Sequence, residues 1–179
     1  MISRGRNVAA LLLATTLLLT ASRPARAGED ELVVAPSLAY SVLRADGAER
    51  HGGAVYLDID LGLTDSWSVR WSGHYSAHAV TGDNSDLLSA GALAFGALYT
   101  IDVLKVVPYI SLSVGVSALG GAGQGLRWNC EMSVGIGIDY LVSRSFSVGL
   151  ELRYQALVPD IERYPLFLGV GVRLAWRRQ

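Results

Sequence analysis

The chain has 179 residues, which is enough for one domain. It is 51% hydrophobic and only 17% charged, with a single lysine at Lys105. Because a soluble domain covers its exterior with charged side chains, this composition excludes an ordinary water-facing surface. The net charge of −1 excludes a basic protein that binds nucleic acid. One cysteine, Cys130, excludes an internal disulfide.

The first 27 residues have the three-part layout of a secretory signal peptide. Arg4 and Arg6 precede an apolar run from Val8 to Leu19, and small residues occupy the cleavage positions up to Ala27. Cleavage after Ala27 removes four arginines and leaves 11 basic and 16 acidic residues, a net charge of −5. We therefore expect residues 1–27 to be a cleaved signal peptide and residues 28–179 to be an exported barrel domain.

The rest of the chain alternates between apolar and small or polar residues with a period of two, which is typical of β-strands. Each segment reaches the about 9–11 residues that a tilted transmembrane strand needs. The predicted strands are, in chain order, Glu31–Leu43, Gly53–Leu63, Trp67–Ala79, Leu87–Ile101, Val107–Leu119, Trp128–Leu141, Phe146–Leu157 and Pro165–Trp176.

The two faces of these strands differ in the size of their side chains. One face carries large aliphatic and aromatic residues, and the other is mostly Gly, Ser and Ala with isolated charges. Small residues suit the narrow lumen of an eight-stranded barrel, and large apolar residues can face lipid. The pattern predicts an all-β fold, an eight-stranded antiparallel up-and-down transmembrane barrel that closes because lipid cannot satisfy an open sheet edge. On the lumen face, Gly171→Ser should therefore be mild.

The connections alternate in length. Arg44–Gly52, Val80–Asp86, Gly120–Arg127 and Val158–Tyr164 are predicted to be long, and Thr64–Ser66, Asp102–Val106 and Val142–Ser145 short. Short periplasmic turns alternating with longer external loops are typical of bacterial outer-membrane barrels. This pattern places both chain termini on the periplasmic side.

The outward aromatic residues fall at the strand ends and form two groups. Trp67, Tyr99, Tyr140, Phe146 and Trp176 lie near short turns or the end of the last strand, whereas Tyr40, Tyr75 and Tyr154 lie towards the longer connections. We expect the two groups to form the aromatic girdles of the membrane interfaces.

Eight charged residues fall on the lumen face: Asp58, Asp60, Arg70, Glu131, Asp139, Glu151, Arg153 and Arg173. Counting residues about the second turn places Asp60 opposite Arg70, and a similar count about Val158–Tyr164 places Glu151 near Arg173. Two interpretations stay open. The charges form a gate in a narrow ion path, or they form pairs that satisfy one another inside a filled barrel.

Two stretches, Leu98–Tyr109 and Gly135–Gly149, each read as strand, short turn and strand with an aromatic residue near the turn. In these stretches the chain resembles the small outer-membrane barrels typified by OmpA and OmpX. The resemblance implies a bacterial outer-membrane location after secretion to the periplasm, and it also suggests the gate. It does not extend to a peptidoglycan-binding domain. Trp176 is followed by Arg177, Arg178 and Gln179, which departs from the family's aromatic C-terminal end.

Three function classes follow. We expect a structural or surface-interaction role in the envelope, with a small-solute or ion channel as the alternative. A lipid-modifying enzyme is the remote alternative, because His74 and Ser76 form a His-x-Ser pair but alternation turns both into the lumen.

His74 and His78 stand about 13 Å apart along the strand, so we expect no metal site, and we expect no cofactor. The expected partners are membrane lipid and lipopolysaccharide, with periplasmic chaperones and the barrel-assembly machinery during biogenesis, and no nucleic acid.

Overall fold

A computed structural model describes residues 30–45, 48–79, 87–101, 105–121, 124–158 and 166–178. The predicted signal peptide lies outside these ranges. The described residues form eight strands: β1 (Leu32–Ala45), β2 (Ala48–Gly62), β3 (Trp67–Ala79), β4 (Leu87–Thr100), β5 (Val106–Gly121), β6 (Gln124–Ser143), β7 (Phe146–Val158) and β8 (Leu166–Arg178). Within the described ranges, no helix is long and apolar enough to cross a bilayer.

The strands form one closed barrel in which each strand pairs antiparallel with the next and β8 pairs with β1. The closing ladder joins, for example, Val34 to Trp176 and Leu38 to Val172. Closure gives the backbone groups on both sides of every strand a hydrogen-bonding neighbour, as lipid requires. The predicted fold class and strand number are confirmed.

Side chains alternate between the exterior and the lumen along every strand. On β4, for instance, the side chain of Leu93 is 72% exposed, whereas that of its neighbour Ala92 is 9% exposed. Most large aliphatic residues point outwards, and most Ser and charged residues point into the lumen; the inward exceptions near the loop end are Leu43, Leu88, Leu119 and Leu157. The predicted assignment of inside and outside is therefore confirmed.

The barrel has two different ends. The turn end carries Leu63–Ser66, the turn at residues 144–145, the start of β1 and the end of β8, and the loop end is the opposite one. The predicted length is wrong for two of the four long connections. Only residues 46–47 separate β1 from β2, and only residues 122–123 separate β5 from β6. The ladder continues through Arg44 opposite Glu49, since polar side chains are compatible with a strand that projects from the membrane. The sequence signal was Asp46-Gly47, a dipeptide that favours two-residue hairpins.

Several lumen glycines are required by close packing. A Cβ atom on Gly137 would lie 2.7 Å from Cε1 of the Tyr109 ring, so this glycine makes room for the ring. A Cβ atom on Gly171 would lie 2.7 Å from the carbonyl oxygen of Leu38 and 2.9 Å from the Cβ of Ala39. The expectation that Gly171→Ser is mild is therefore wrong, because the neighbouring backbone of β1 occupies the space.

Candidate functional site

The lumen is filled by buried polar side chains at middle depth. All eight predicted lumen charges are at most 5% exposed. Asp60 lies opposite Arg70 in the ladder between β2 and β3, as the sequence predicts. Arg70 donates to both carboxylate oxygens of Asp60, with Nε to Oδ1 at 2.6 Å and Nη2 to Oδ2 at 2.9 Å. This is the bidentate geometry that gives an arginine–carboxylate pair its strength.

A second arginine connects opposite walls of the barrel. Arg153 on β7 donates to both oxygens of Asp58 on β2, at 2.6 and 3.3 Å, and its Nε donates to Oε1 of Glu151 at 2.8 Å. Asp58 also accepts a hydrogen bond from Ser72, at 2.5 Å. Because Asp58 and Arg153 come from strands that are not neighbours, their pair braces the barrel across the lumen.

The third arginine, Arg173 on β8, corrects a prediction. Its Nη2 donates to Oδ2 of Asp60 at 3.0 Å, and its Nη1 donates to Asp139. Glu151 lies opposite Gly171, and Arg173 opposite Gly149, so Glu151 and Arg173 are diagonal neighbours and are not directly opposite each other. The count about Val158–Tyr164 was off by two residues, because a connection without a turn motif leaves the register unspecified.

We call these seven charged residues the charge layer: Asp58, Asp60, Arg70, Asp139, Glu151, Arg153 and Arg173. Two aromatic rings pack against its arginines. The guanidinium of Arg153 lies 4.5 Å from the centroid of the Tyr56 ring, and that of Arg173 lies 5.1 Å from the Tyr109 centroid. The Tyr109 hydroxyl donates to Glu151 at 3.1 Å. Rings and ion pairs together fill the cross-section of the lumen.

The eighth predicted charge, Glu131, lies apart from the charge layer, towards the loop end. Gln155 Nε2 is 3.1 Å from Glu131 Oε1 and 3.1 Å from His74 Nδ1. The His74 ring also packs against Tyr56, with 5.4 Å between centroids. Glu131 is therefore held by the Gln155 amide, with His74 Nδ1 3.8 Å from its Oε1, and it belongs to a separate polar cluster.

Apolar side chains close the loop end of the lumen. Six inward residues, each at most 3% exposed, form one cluster that we call the apolar plug: Leu43, Leu88, Ala90, Leu119, Leu157 and Phe167. His78 lies at the level of the plug, since it pairs with Leu88 in the ladder between β3 and β4. Its Nε2 lies 3.0 Å from Ser41 Oγ, and its ring packs against Phe167 with 5.5 Å between centroids. The plug draws on β1, β4, β5, β7 and β8, so it spans the lumen.

None of the residues that the structure describes closes the turn end. Between the charge layer and the turns the barrel encloses a cavity of about 900 Å³, which we call the vestibule. Asp60, Asp139 and Arg173 line its inner part, and Arg144 and Arg177 line it near the turns. The lumen thus has an open vestibule, a charge layer and an apolar plug, in that order from the turn end.

Comparison with solved structures identifies this architecture, although no protein-family model and no curated protein matches the sequence. Neisserial surface protein A superimposes with a TM-score of 0.65 at 13% identity, covering 81% of this chain and 96% of that one. Ail of Yersinia pestis, solved with the heparin analogue sucrose octasulfate, gives 0.60 at 17% identity and covers 84% and 99%. The N-terminal barrel domain of Pseudomonas aeruginosa OprF gives 0.57 at 15% identity, covering 84% and 99%.

The chain has the fold of the small bacterial outer-membrane β-barrels. Its exterior agrees with that fold, because the outward side chains of the strands form a continuous apolar surface that water would not solvate favourably.

The eight predicted girdle residues all lie on the exterior of the barrel. At the turn end, Trp67 packs against Tyr99 with 4.9 Å between ring centroids, and Phe146 packs against Trp176 at 5.2 Å. Towards the loop end, the Tyr40 hydroxyl lies 2.6 Å from Nδ1 of His51. Their position at the membrane interfaces remains a prediction. The exterior residues at the two ends are Trp67, Tyr99, Tyr140, Phe146, Trp176, Tyr40, Tyr75 and Tyr154.

The alternation of residues in the sequence places Tyr56, Tyr109 and His74 on the lumen face, but it does not predict their contacts with the charge layer or with Glu131. The predicted aromatic girdles did not include Trp128, an outward residue of β6 near the loop end that is 70% exposed. Alternation shows which face a side chain takes, but contact between strands that are not neighbours depends on the curvature of the closed barrel.

Two further predictions concern histidines. His74 and Ser76 both face the lumen, where Ser76 is 1% exposed and its hydroxyl has no hydrogen-bond partner among the described protein groups. Among the residues that the structure describes, no three metal-ligating side chains gather to hold an ion.

Proposed function

We propose that the chain is a non-conducting structural barrel of the bacterial outer membrane, whose role is envelope integrity. The observation that carries this proposal is the apolar plug at the loop end. Ions cross an apolar constriction of this kind only if it is wetted, and the six side chains of the plug form one cluster in which each is at most 3% exposed.

The charge layer supports the same proposal. Each of its three arginines is hydrogen-bonded to two carboxylates or bidentately to one, and Arg153 spans the lumen to Asp58. Such pairs leave few donors to replace the hydration shell of a passing ion. The charges then brace and fill the barrel. Of the two interpretations of the lumen charges, this favours ion pairs that satisfy one another and not a gate.

Conductance in planar bilayers tests the proposal against the channel alternative. We expect purified wild-type protein to insert without current steps, and Asp60→Ala to lower stability while staying silent. Val134→Ala on the outer face serves as the matched control, because it alters packing without touching the lumen. Reproducible single-channel steps in the wild type, with a size that changes in Asp60→Ala, would establish the channel instead.

A deletion in the native host separates envelope integrity from surface interaction. We expect the deletion to sensitise cells to detergent, and we expect full rescue by a variant whose residues 80–86 and 159–165 are replaced by Gly-Ser sequences. Rescue by the wild type but not by this variant would assign the role to the external connections and to a surface partner.

We infer a non-enzymatic role. The Ser41–His78 contact and the His74–Ser76 pair lie in the lumen, where every one of these residues except His74 is at most 1% exposed. An enzyme that acts on membrane lipid presents its nucleophile to the bilayer, and these serines face away from it. The partners in this account are outer-membrane lipid and lipopolysaccharide, and the chaperones and assembly machinery that deliver the barrel.

A further inference from the structure

The vestibule is a dead-end cavity with the dimensions of a small-molecule site. Its volume of about 900 Å³ falls within the range of about 300–1,000 Å³ that is usual for ligand pockets. The charge layer closes its inner end, so a molecule that enters from the turns must leave by the same way. With the turns on the periplasmic side, as the topology predicts, the vestibule takes solutes from the periplasm.

One arginine in the vestibule, Arg177, is held less tightly by carboxylates than the arginines of the charge layer are. Arg177 Nη1 lies 3.7 Å from Glu31 Oε2, and Nη2 lies 3.9 Å from Asp139 Oδ2. Both distances exceed the length of a hydrogen bond, and Arg177 Nε has no hydrogen-bond partner among the described protein groups. The unpartnered Nε is itself buried, so the donors that an incoming anion could reach are those on Nη1 and Nη2, which the two carboxylates hold only at ion-pair distance. The Arg177 side chain is 17% exposed.

Other lining residues define the rest of the ligand. Arg144, exposed in the turn between β6 and β7, lines the same cavity and lies next to Ser145, whose carbonyl accepts a hydrogen bond from the backbone N–H of Arg177. Four carboxylates also line the cavity: Asp60 and Asp139 accept hydrogen bonds from arginines of the charge layer, and Glu31 and Asp65 lie nearer the turns. Leu98 on β4 and Val107 on β5 line the cavity as well, and both are buried. In an eight-stranded closed barrel β4 lies across the lumen from β8, so the apolar wall faces the strand that carries Arg177.

We propose that the vestibule binds a small amphipathic organic anion, a carboxylate or a phosphate monoester, with its charge on Arg177 and Arg144 and its apolar body against Leu98 and Val107. A guanidinium offers paired N–H donors that match the oxygens of a carboxylate or of a phosphate, so both classes of anion fit the same site. This inference goes beyond the structural role and does not depend on it, because binding in the vestibule needs no open lumen.

The test uses the full mature barrel in lipid nanodiscs and measures backbone amide chemical shifts during titration. The probes are benzoate and phenyl phosphate, with acetate as the charge alone and benzyl alcohol as the apolar body alone. We expect saturable shifts at Leu98, Val107 and Arg177 with benzoate, phenyl phosphate or both, and at least tenfold weaker binding of acetate and benzyl alcohol. Which of the two anions binds more tightly decides between carboxylate and phosphate.

The variant Arg177→Gln should weaken benzoate and phenyl phosphate binding at least tenfold. Arg178→Gln is the matched control, because Arg178 is the next residue of β8, is exposed, and does not line the vestibule. Equal loss in both variants would overturn the proposal. Wild-type shifts that do not saturate, that benzyl alcohol reproduces, or that appear only on the exterior would overturn it independently of whether Arg177→Gln folds.

Discussion

Removing one member of the Asp60–Arg70 pair should destabilise the barrel, and removing both should cost less than the sum of the two single changes. Each single substitution leaves a buried charge without its bidentate partner, since both side chains are 1% exposed. Breaking a buried ion pair in this way typically costs about 3–5 kcal/mol.

The surrounding contacts place the expected cost near the lower limit. In Arg70→Ala, Asp60 keeps the hydrogen bond from Arg173 at 3.0 Å. In Asp60→Ala, Arg70 keeps Asp58, whose Oδ2 lies 3.5 Å from Nη1. We therefore expect each single variant to lose about 3 kcal/mol of unfolding free energy. The coupling energy between the two positions should be on the order of 1–3 kcal/mol, the range of residues within one ion-pair network.

Reversible urea unfolding in lipid vesicles, followed by tryptophan fluorescence, measures these values. Asp58→Ala should couple more weakly to Arg70→Ala, because their contact is a single one at 3.5 Å and Asp58 pairs bidentately with Arg153. Ser117→Ala is the matched control, a buried lumen polar group whose hydroxyl has no partner among the described protein groups. Additive effects of Asp60→Ala and Arg70→Ala within about 0.5 kcal/mol would refute the pairing.

Three further predictions concern the exterior, the lumen glycines and the leader. Ile136 lies on the exterior between Ile110 and Leu152, so Ile136→Arg should lower the unfolding free energy in lipid vesicles by about 2–4 kcal/mol, whereas the lumen change Ala92→Ser should be mild. Equal losses would mean that inside and outside are reversed. Gly137→Ala should lower the unfolding free energy by about 1–3 kcal/mol because its Cβ overlaps the Tyr109 ring. Gly53→Ala is the control and should leave stability unchanged, since its Cβ meets only Ala39 O at 3.9 Å. A harmless Gly137→Ala would contradict the packing. Mass spectrometry of outer-membrane protein should find the mature N-terminus at Gly28, and recovery of intact Met1 would contradict cleavage.

The fold could be predicted from the sequence because a transmembrane barrel is encoded locally. Lipid on one side and a narrow lumen on the other force a period of two, and the short turns fix the register of their hairpins. The Asp60–Arg70 pair was predictable for this reason, since a short turn sets the count between β2 and β3.

The rest could not be predicted, because it depends on how the barrel closes. Arg153 reaches Asp58 across the lumen, and Arg173 reaches Asp139 instead of Glu151. No spacing along the chain encodes these contacts. The apolar plug was also overlooked, since Leu43 and Leu157 break the small-residue pattern of the lumen face at strand ends where they read as boundary residues.

Thiol labelling from the two sides of the outer membrane most directly tests the claim that the barrel is sealed at the loop end and open at the turn end. Native Cys130 is exposed, so the variants are built on Cys130→Ser. Ser68→Cys lies in the vestibule and Ser41→Cys lies beneath the plug. With a reagent that cannot cross the outer membrane, we expect labelling of Ser68→Cys only after the reagent gains access to the periplasm, and labelling of Ser41→Cys only after unfolding. Labelling of folded Ser41→Cys on intact cells would contradict it.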